Sequence, residues 1–331
     1  MKKNALLLVL ALVLMFVLAA CGAQQTGGNE PTEPAEGTEV AETETEATEV
    51  TAEPTELTFE HQLGEVTVSV NPEKVVVFDF GVLDSLDKLG VEVTALPQAN
   101  VPPYLAKYED AKYENIGSLK EPDFEKIAEI NPDLIIISGR QLDLYDELSK
   151  LGPTIFMGVD NTNYMESFTH NMEVLGQIFG KEEAVAAELS VINEAIAGIN
   201  EKAADAGKAL IILANEGNIS AYGPGSRFGI IHDVLGVEAV DEGIEVSTHG
   251  MNVSFEYLVE KDPDLLFVVD RNAVVAGEAA AQDTIENELV QETKAYQNGN
   301  IVYLDPNYWY LSGGGLVSVS EMVKAIEAAI Q

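Results

Sequence analysis

Three arginines are the residues of this sequence best suited to bind a charged ligand. The 331-residue chain contains only Arg140, Arg227 and Arg271, whereas lysine occurs fifteen times among its 18 basic residues. Each arginine follows an apolar stretch typical of a buried strand. A guanidinium binds carboxylate-like oxygens through two parallel hydrogen bonds and stays charged when partly desolvated. The three together therefore predict one anion site, although any one of them alone is as compatible with a surface salt bridge.

Two of these arginines end a stretch that occurs twice. Residues 124–140 and 255–271 align without a gap, and Phe, Glu, Pro, Asp, Leu and the final Arg recur in register. Each copy predicts an amphipathic helix that ends before Pro132 or Pro263, followed by a strand buried on both faces. The arginine then lies at the carboxyl end of a strand, where open α/β sheets bind ligands. The alternative is a chance recurrence of a common helix–strand pattern.

Alternating strand and helix patterns around these repeats predict an α/β fold with two lobes and mainly parallel sheets. The predicted N-terminal lobe spans residues 57–162, and the C-terminal lobe spans residues 205–331. Residues 163–204 between them are predicted to be mostly helical, with methionines and phenylalanines at helical spacing that favour core packing. We expect this segment to join the lobes rigidly.

The first 56 residues have the features of export and anchoring segments. Residues 1–21 combine a positively charged start with an apolar stretch too short for a comfortable membrane span, as in a signal peptide. Their last four residues resemble the bacterial lipobox, so Cys21, the only cysteine, is the predicted lipidation site. Residues 22–56 are rich in Glu, Thr and Pro and predict a disordered acidic tether. An uncleaved transmembrane anchor is the alternative.

Composition argues against several classes of partner and reaction. A net charge of −38 at pH 7 disfavours nucleic acid and anionic membrane surfaces as partners. The four histidines are scattered singly, unlike the clustered ligands of a zinc or manganese site. Ser226 lies in no Gly-x-Ser-x-Gly elbow, and Ser312 opens a glycine-rich turn that lacks the lysine of a P-loop. We therefore expect a protein that is not an enzyme and has no cofactor of its own.

Several motifs together resemble the substrate-binding lipoproteins of ABC importers for iron–siderophore complexes. They are the lipobox, residues 72–77 and 86–90, the duplicated helix–strand unit and the long joining helix. The resemblance covers about residues 57–331 and is closest to members that bind catecholate siderophores such as petrobactin. It implies two α/β lobes on a rigid helical backbone, a ligand cleft between them, and a lipid anchor on the outer face of a Gram-positive cell membrane.

The resemblance also implies roles for individual residues. His249 and Tyr310 lie in loops that, in some relatives, complete the iron coordination when the siderophore supplies only four donors. In the repeat register His249 is opposite Ser118, and Met251 is opposite Lys120, so the two loops are equivalent. Aromatic side chains can pack on catechol rings and support arginines through cation–π contacts. The predicted ligand-binding residues are Arg140, Arg227, Arg271, Lys120, Tyr222, Trp309 and Tyr310.

Glu125 and Glu256 occupy equivalent positions in the two copies of the repeat. In the family, one acidic residue on each lobe docks onto a basic pocket of the permease dimer, and the resemblance implies this role for the two glutamates. The alternative is a solvated charge on the surface of each helix.

The sequence thus predicts a monomeric, non-catalytic receptor that delivers a ferric catecholate-type siderophore to a permease. A receptor for haem, cobalamin or a hydroxamate siderophore is the main alternative, and hydroxamate complexes fit an arginine triad less well because they are more often neutral or cationic. The alternatives from other functional classes are a cell-envelope metalloenzyme and a structural surface lipoprotein.

Overall fold

Each half of the described chain forms an open sheet flanked by helices. The computed structural model describes residues 55–277 and 281–330, so the predicted signal peptide, Cys21 and nearly all of the predicted tether lie outside the described residues. Within the described part, no helix is both long enough and apolar enough to cross a membrane.

Strands and helices alternate along most of the chain. The strands are β1 (Glu56–His61), β2 (Gly64–Ser69), β3 (Val75–Val77), β4 (Ala95–Leu96), β5 (Glu114–Asn115), β6 (Leu134–Ile137), β7 (Thr154–Phe156), β8 (Lys208–Asn215), β9 (Asn218–Tyr222), β10 (Glu238–Ala239), β11 (Met251–Val253), β12 (Leu265–Asp270) and β13 (Ile301–Leu304). The helices are α1 (Phe80–Lys88), α2 (Phe124–Ile130), α3 (Tyr145–Leu148), α4 (Tyr164–Phe179), α5 (Glu182–Ala203), α6 (Ile230–Asp233), α7 (Phe255–Lys261), α8 (Arg271–Val275), α9 (Ala281–Ile285), α10 (Lys294–Gln297) and α11 (Leu316–Ala329). This order confirms the predicted α/β class.

The N-terminal sheet is parallel throughout, with the strand order β5-β4-β3-β6-β7. Its central strands β3 and β6 are apolar and fully buried, as expected for strands covered on both faces. An antiparallel hairpin of β1 and β2 precedes the sheet and buries Val66 and Val68 in the main core.

The C-terminal sheet is parallel at its centre and antiparallel at one edge. Strands β8, β12 and β13 are parallel, whereas β9 runs antiparallel between β8 and β11. A two-residue turn, Glu216 and Gly217, joins β8 to β9 with φ of 52° and 79°, which suits a type I′ hairpin. The prediction of mainly parallel sheets is therefore confirmed at the centre, and the β9–β11 edge is an addition that the sequence pattern did not reveal.

Both copies of the repeat fold as predicted. Helices α2 and α7 end at Asn131 and Asp262, which adopt left-handed conformations (φ 52° and 42°) just before the prolines. The aspartate that follows each proline closes the unit: a side-chain oxygen of Asp133 accepts from the backbone N–H of Lys74 (2.9 Å), and one of Asp264 accepts from that of Lys208 (2.9 Å). The recurring Pro-Asp thus attaches each repeat to the start of the neighbouring strand.

The joining segment consists of two packed helices, α4 and α5. They are separated at Gly180, whose φ of 60° ends α4. Phe168 and Met172 of α4 are fully buried, in agreement with the predicted core packing. The main apolar core continues from the β1–β2 hairpin through α4 and α5 to β8 and α11. The two sheets are therefore connected by packed side chains as well as by the chain itself.

Candidate ligand-binding site

A cavity of about 1430 Å³ lies between the two sheets. Its walls include the residues that follow β3, β6 and β7 in the N-terminal half and those that follow β8 and β12 in the C-terminal half. These are the carboxyl ends of parallel strands, where both the repeat and the topology predict a ligand site.

The three arginines line this cavity and converge on one residue, Tyr310. Arg140 donates from Nη2 to the carbonyl oxygen of Tyr310 (2.7 Å) and from Nη1 to that of Leu311 (3.4 Å). Arg227 also donates to the Tyr310 carbonyl, and Arg271 donates from Nε to the Tyr310 hydroxyl (3.0 Å). The structure therefore assembles the predicted triad around a tyrosine that the sequence placed only in the same cleft.

Neutral amide side chains lie beside both repeat arginines, and one of them contacts its arginine directly. Ser138 and Gln141 form a reciprocal cap beside Arg140, and the buried Gln141 amide also donates to the carbonyl oxygen of Leu119. On the other side of the cavity, Asn215 at the end of β8 accepts from Arg271 Nη1 at 2.7 Å. The Asn215 amide therefore orients the Arg271 guanidinium without neutralising its charge.

The electrostatics of the site favour negative charge. Burial raises the pKa of Tyr310, but the hydrogen bond from Arg271 and the charges of Arg227, Arg271 and Arg140 outweigh it, so the pKa lies below the ordinary tyrosine value. Burial lowers the pKa of Arg227, and the charge of Arg140 lowers it further. The Arg227 guanidinium also lies over the Tyr310 ring, 4.3 Å from its centroid. Crowded cations beside a phenol whose pKa they lower are suited to bind an anion and to stabilise a phenolate oxygen that coordinates a hard cation.

The aromatic residues predicted for the site separate into two groups. Tyr222 lines the cavity and packs edge-on against Phe228, and burial raises its pKa to about 12. Trp309 is 3% exposed, does not line the cavity, and lies behind Phe228 with the ring centroids 6.5 Å apart. The structure therefore does not support the expected stacking of Trp309 on a ligand.

The local backbone explains why Trp309 and Tyr310 differ. Residues 307–312 form a turn of π-helix in which the N–H of Gly313 donates to the carbonyl oxygen of Tyr308, five residues earlier (2.8 Å). In this turn Tyr310 lines the cavity while Trp309 packs into the core. Tyr308 packs against Tyr104 with a centroid distance of 4.7 Å. Sequence periodicity gives no signal for such a turn.

Lys120 and His249 both line the cavity from exposed loops. Their placement on opposite lobes matches their equivalence in the repeat. Neither side chain is hydrogen-bonded to another residue in the described ranges, so both are accessible to a ligand. Within residues 55–277 and 281–330, no group of three or more His, Cys, Asp or Glu side chains forms a metal cage.

The cavity also has walls that sequence reasoning missed. The turn of the β1–β2 hairpin contributes His61 and Gln62, and α4 contributes His170 and Asn171. These contacts join segments far apart in the chain, and no motif marks them. Asn215 had one available signal, because it ends a buried strand next to a predicted arginine loop.

Glu125 and Glu256 lie away from the cavity walls, in the first turns of α2 and α7. Both are exposed. A hydrogen bond from Ser254 lowers the pKa of Glu256. The two carboxylates are therefore accessible to a partner, one on each half of the molecule.

Comparison with known proteins gives consistent results. Residues 75–308 match the family described as periplasmic binding protein. The petrobactin-binding protein YclQ of Bacillus subtilis (strain 168) is 46% identical over the full length of both chains. Its crystal structure matches with a TM-score of 0.81 at 48% identity, covering 83% of this chain and 99% of that one.

Two further relatives come from Vibrio species. The ferric-anguibactin-binding protein FatB of Vibrio anguillarum (strain ATCC 68554 / 775) is 31% identical over 82% of this chain and 87% of its own length. The crystal structure of the periplasmic catecholate-siderophore binding protein VctP of Vibrio cholerae matches with a TM-score of 0.79 at 39% identity, covering 82% of this chain and 99% of that one.

Proposed function

The chain belongs to the periplasmic binding protein family, and from this premise we propose that it is the substrate-binding protein of an ABC importer. Its ligand is a ferric catecholate-type siderophore of the petrobactin class, held in the cavity between the sheets and delivered to a permease dimer. The protein acts by binding and release and not as an enzyme. It works as a monomer and has no nucleic-acid partner.

The observation that carries this proposal is the convergence of three arginines on Tyr310. A ferric catecholate complex is anionic, and its oxygens are better acceptors than the neutral carbonyls that Arg140 and Arg227 contact. A hydrogen bond to a charged group contributes about 1.5–3 kcal/mol. Three guanidiniums could therefore supply much of the roughly 8 kcal/mol that corresponds to micromolar affinity.

The relatives support this ligand class. The relative that matches over the full length is a petrobactin-binding protein, and a structural neighbour at 39% identity is a catecholate-siderophore binding protein. An iron(3+)-hydroxamate-binding protein of Bacillus subtilis is also similar, but at 26% identity. The similarity is thus stronger towards catecholate than towards hydroxamate ligands.

Individual residues then take specific roles. Arg140, Arg227 and Arg271 face the anionic iron complex, with Lys120 as a fourth cation at the rim. Tyr222 contributes an aromatic wall. In this proposal His249 and Tyr310 complete the iron coordination of a siderophore that supplies four donors, and the surrounding arginines, which lower the pKa of Tyr310, support its role as a ligand.

The anchoring and docking roles complete the proposal. Cys21 carries the lipid that holds the exported protein on the outer face of the membrane of a Gram-positive cell, with residues 22–56 as the spacer. Glu125 and Glu256, exposed on the two repeat helices, dock onto the permease dimer.

Calorimetric titration of the protein with four iron compounds tests this function: ferric petrobactin, a tetradentate ferric bis-catecholate, a ferric hydroxamate and haem. We expect tight binding of the two catecholates, weakened in Arg227→Gln and in Arg271→Gln. Lys324→Gln is the matched control, because it also removes one positive charge but lies in an exposed ion pair on α11. The affinity for the bis-catecholate should also be lower in His249→Ala than in the unmodified protein. Tight binding of the hydroxamate or haem alone would contradict the proposal.

A further inference from the structure

Asp84, in the middle of α1, carries a fully buried carboxylate that faces the first turn of α11. One oxygen accepts from the N–H of Val317 (3.1 Å) and the hydroxyl of Ser85 (3.3 Å). The other accepts from the N–H of Ser318 (3.0 Å) and the hydroxyl of Tyr104 (3.2 Å). A side chain from the N-terminal lobe thus caps a helix more than 230 residues further along the chain.

Helix α1 and the start of α11 also make close backbone contact at this point. The N–H of Leu316 donates to the hydroxyl of Ser85 at 2.9 Å. A Cβ atom on Gly315 would overlap the carbonyl oxygen of Gly81 and the Asp84 carboxylate. Because Gly315 has an ordinary negative φ of −109°, the glycine is required here by space and not by conformation.

The same network reaches the ligand cavity. The chain between β13 and α11 contains the π-helical turn that carries Tyr310. Tyr104, which contacts Asp84, also shares a hydrogen bond with Ser312 at the end of that turn (2.6 Å). The carbonyls of Tyr310 and Leu311, which accept from Arg140 and Arg227, therefore lie directly before Ser312, where Tyr104 joins the turn to the Asp84 network.

We propose that Asp84 is a positioning residue for the ligand site, which fixes the Tyr310 turn and thereby the arrangement of the three arginines. This inference rests on the proposed function only for the effect on ligand affinity. The positioning itself is a property of the protein without any ligand.

The chemistry of the site makes this positioning dependent on pH. The N–H groups of Val317 and Ser318 can only donate, so together with the Tyr104 hydroxyl they match an ionised carboxylate, whereas a protonated carboxyl places a hydrogen against one of them. Burial raises the pKa of Asp84 to about 7, against the opposing effect of its hydrogen bonds. The titratable groups that face it are Tyr104, Tyr308 and Tyr164, whose pKa values are raised chiefly by burial, so they stay neutral in this range. Because the hydrogen bonds to Asp84 lower the pKa of the buried carboxyl, its protonation weakens them while the carboxyl stays buried, and the contacts that hold the turn are strongest above pH 7.

Trp309 provides a ligand-independent test, because it is the only tryptophan and lies within the π-helical turn. Its emission is recorded from pH 5 to 9 in the unmodified protein, in Asp84→Asn and in Asp87→Asn. Asp87 is the matched control on the same helix, where it pairs with Lys107 and Tyr108, and no hydrogen bond or ion pair links it to α11 among the described residues. Histidine titrations are common to all three proteins and cancel in the comparison.

We expect the emission of the unmodified protein and of Asp87→Asn to shift to longer wavelength as the pH falls through about 7. Asp84→Asn should show the shifted emission at every pH. If Asp84→Asn does not fold, Tyr104→Phe removes one donor from the same network and should produce part of the shift. Identical emission and identical pH profiles in the folded variants and the unmodified protein would overturn the proposal.

Titration with ferric petrobactin at pH 8 then measures the consequence for binding. Asp84→Asn should bind about tenfold more weakly, the loss expected from one charged hydrogen-bonding group, whereas Asp87→Asn should bind as the unmodified protein does. If Asp84→Asn and Asp87→Asn bind ferric petrobactin with equal affinity, Asp84 does not influence ligand binding. If the unmodified protein binds no catecholate, the proposed function fails, and the Trp309 profiles still decide whether Asp84 positions the turn.

Discussion

The two repeat units deliver their arginines to the same cavity but to different atoms. In the first copy, Arg140 lies in a tight turn after β6 and contacts main-chain carbonyls of Tyr310 and Leu311. In the second, Arg271 begins α8 and contacts the Tyr310 hydroxyl and Asn215. The two equivalent segments therefore supply one arginine that hydrogen-bonds to main-chain carbonyls and one that hydrogen-bonds to an ionisable side chain.

This difference has a local cause. Asp270, just before Arg271, accepts from the N–H groups of Asn272 and Ala273 and so starts a helix. The first copy has Gly139 in the position of Asp270, and its cap is Ser138, one residue earlier, completed by Gln141. The repeat places both arginines at the carboxyl edge of a sheet, and the loop that follows selects what each one touches.

The largest expected effect comes from exchanging each repeat arginine for glutamine. Arg271→Gln should reduce the affinity for ferric petrobactin by about 3 kcal/mol, roughly 100-fold, and Arg140→Gln by less, because the Tyr310 phenol keeps its hydrogen bond in the latter. Calorimetry measures both affinities. Absorbance titration of tyrosinate, corrected with Tyr310→Phe, should show a higher Tyr310 pKa in Arg271→Gln than in Arg140→Gln. Equal changes of affinity and of the Tyr310 pKa in the two variants would contradict the different roles assigned to Arg140 and Arg271.

The repeat aspartates should also differ in their contributions to stability. Asp133 accepts from the N–H groups of both Glu73 and Lys74, whereas Asp264 accepts from that of Lys208. Asp133→Ala should therefore lower the free energy of unfolding by about 2 kcal/mol and Asp264→Ala by about 1 kcal/mol. Urea unfolding measures these losses. Glu129→Ala on α2 is an exposed control and should change stability little.

Asp79, beside the Arg140 loop, should make the stability of the protein depend on pH. Asp79, which lines the cavity beside the Arg140 loop, has its pKa raised by burial above 3.8, and Ser138, the backbone of α1 and Arg140 offset only part of this shift. Between 3.8 and the higher native pKa, the unfolded chain has released this proton while the native protein retains it. Rising pH then destabilises the native state by up to about 1.4 kcal/mol per pH unit.

Comparison with Asp79→Asn isolates that contribution, since asparagine keeps the helix cap but does not titrate. The stability of the unmodified protein relative to Asp79→Asn should fall as pH rises above 4, as measured by urea unfolding at a series of pH values. A stability difference between the two proteins that stays constant over this pH range would contradict the assignment of the pH dependence to Asp79.

The smallest expected effect concerns the amide that orients Arg271. Asn215→Ala removes the acceptor for Nη1 and leaves the Nε contact with Tyr310 in place. Affinity for the ferric siderophore should fall about fivefold, corresponding to about 1 kcal/mol for one hydrogen bond. Asn298→Ala, which removes an exposed amide that does not line the cavity, is the control. A loss as large as that of Arg271→Gln would show that Asn215 acts directly on the ligand.

Part of the site could be predicted because its residues carry local signals. The rarity of arginine and its position after apolar strands identified Arg140, Arg227 and Arg271, and the repeat register placed the loops of Lys120 and His249 at the same edge. Trp309 shows the limit of such reasoning. Trp309 and Tyr310 are neighbours in the sequence. A π-helical turn, which has no periodic signature, decides which of the two rings lines the cavity.

The sequence by itself determined the α/β alternation, the duplicated helix–strand unit and the chemical class of the site, because hydrophobic period, proline and residue type act over a few neighbouring positions. Only the tertiary structure decided that Tyr310 is the common partner of the arginines, that the β1–β2 hairpin forms a wall, and that Asp84 caps α11. These contacts join residues up to 234 positions apart. They follow from how packed elements meet in space, which no local pattern encodes.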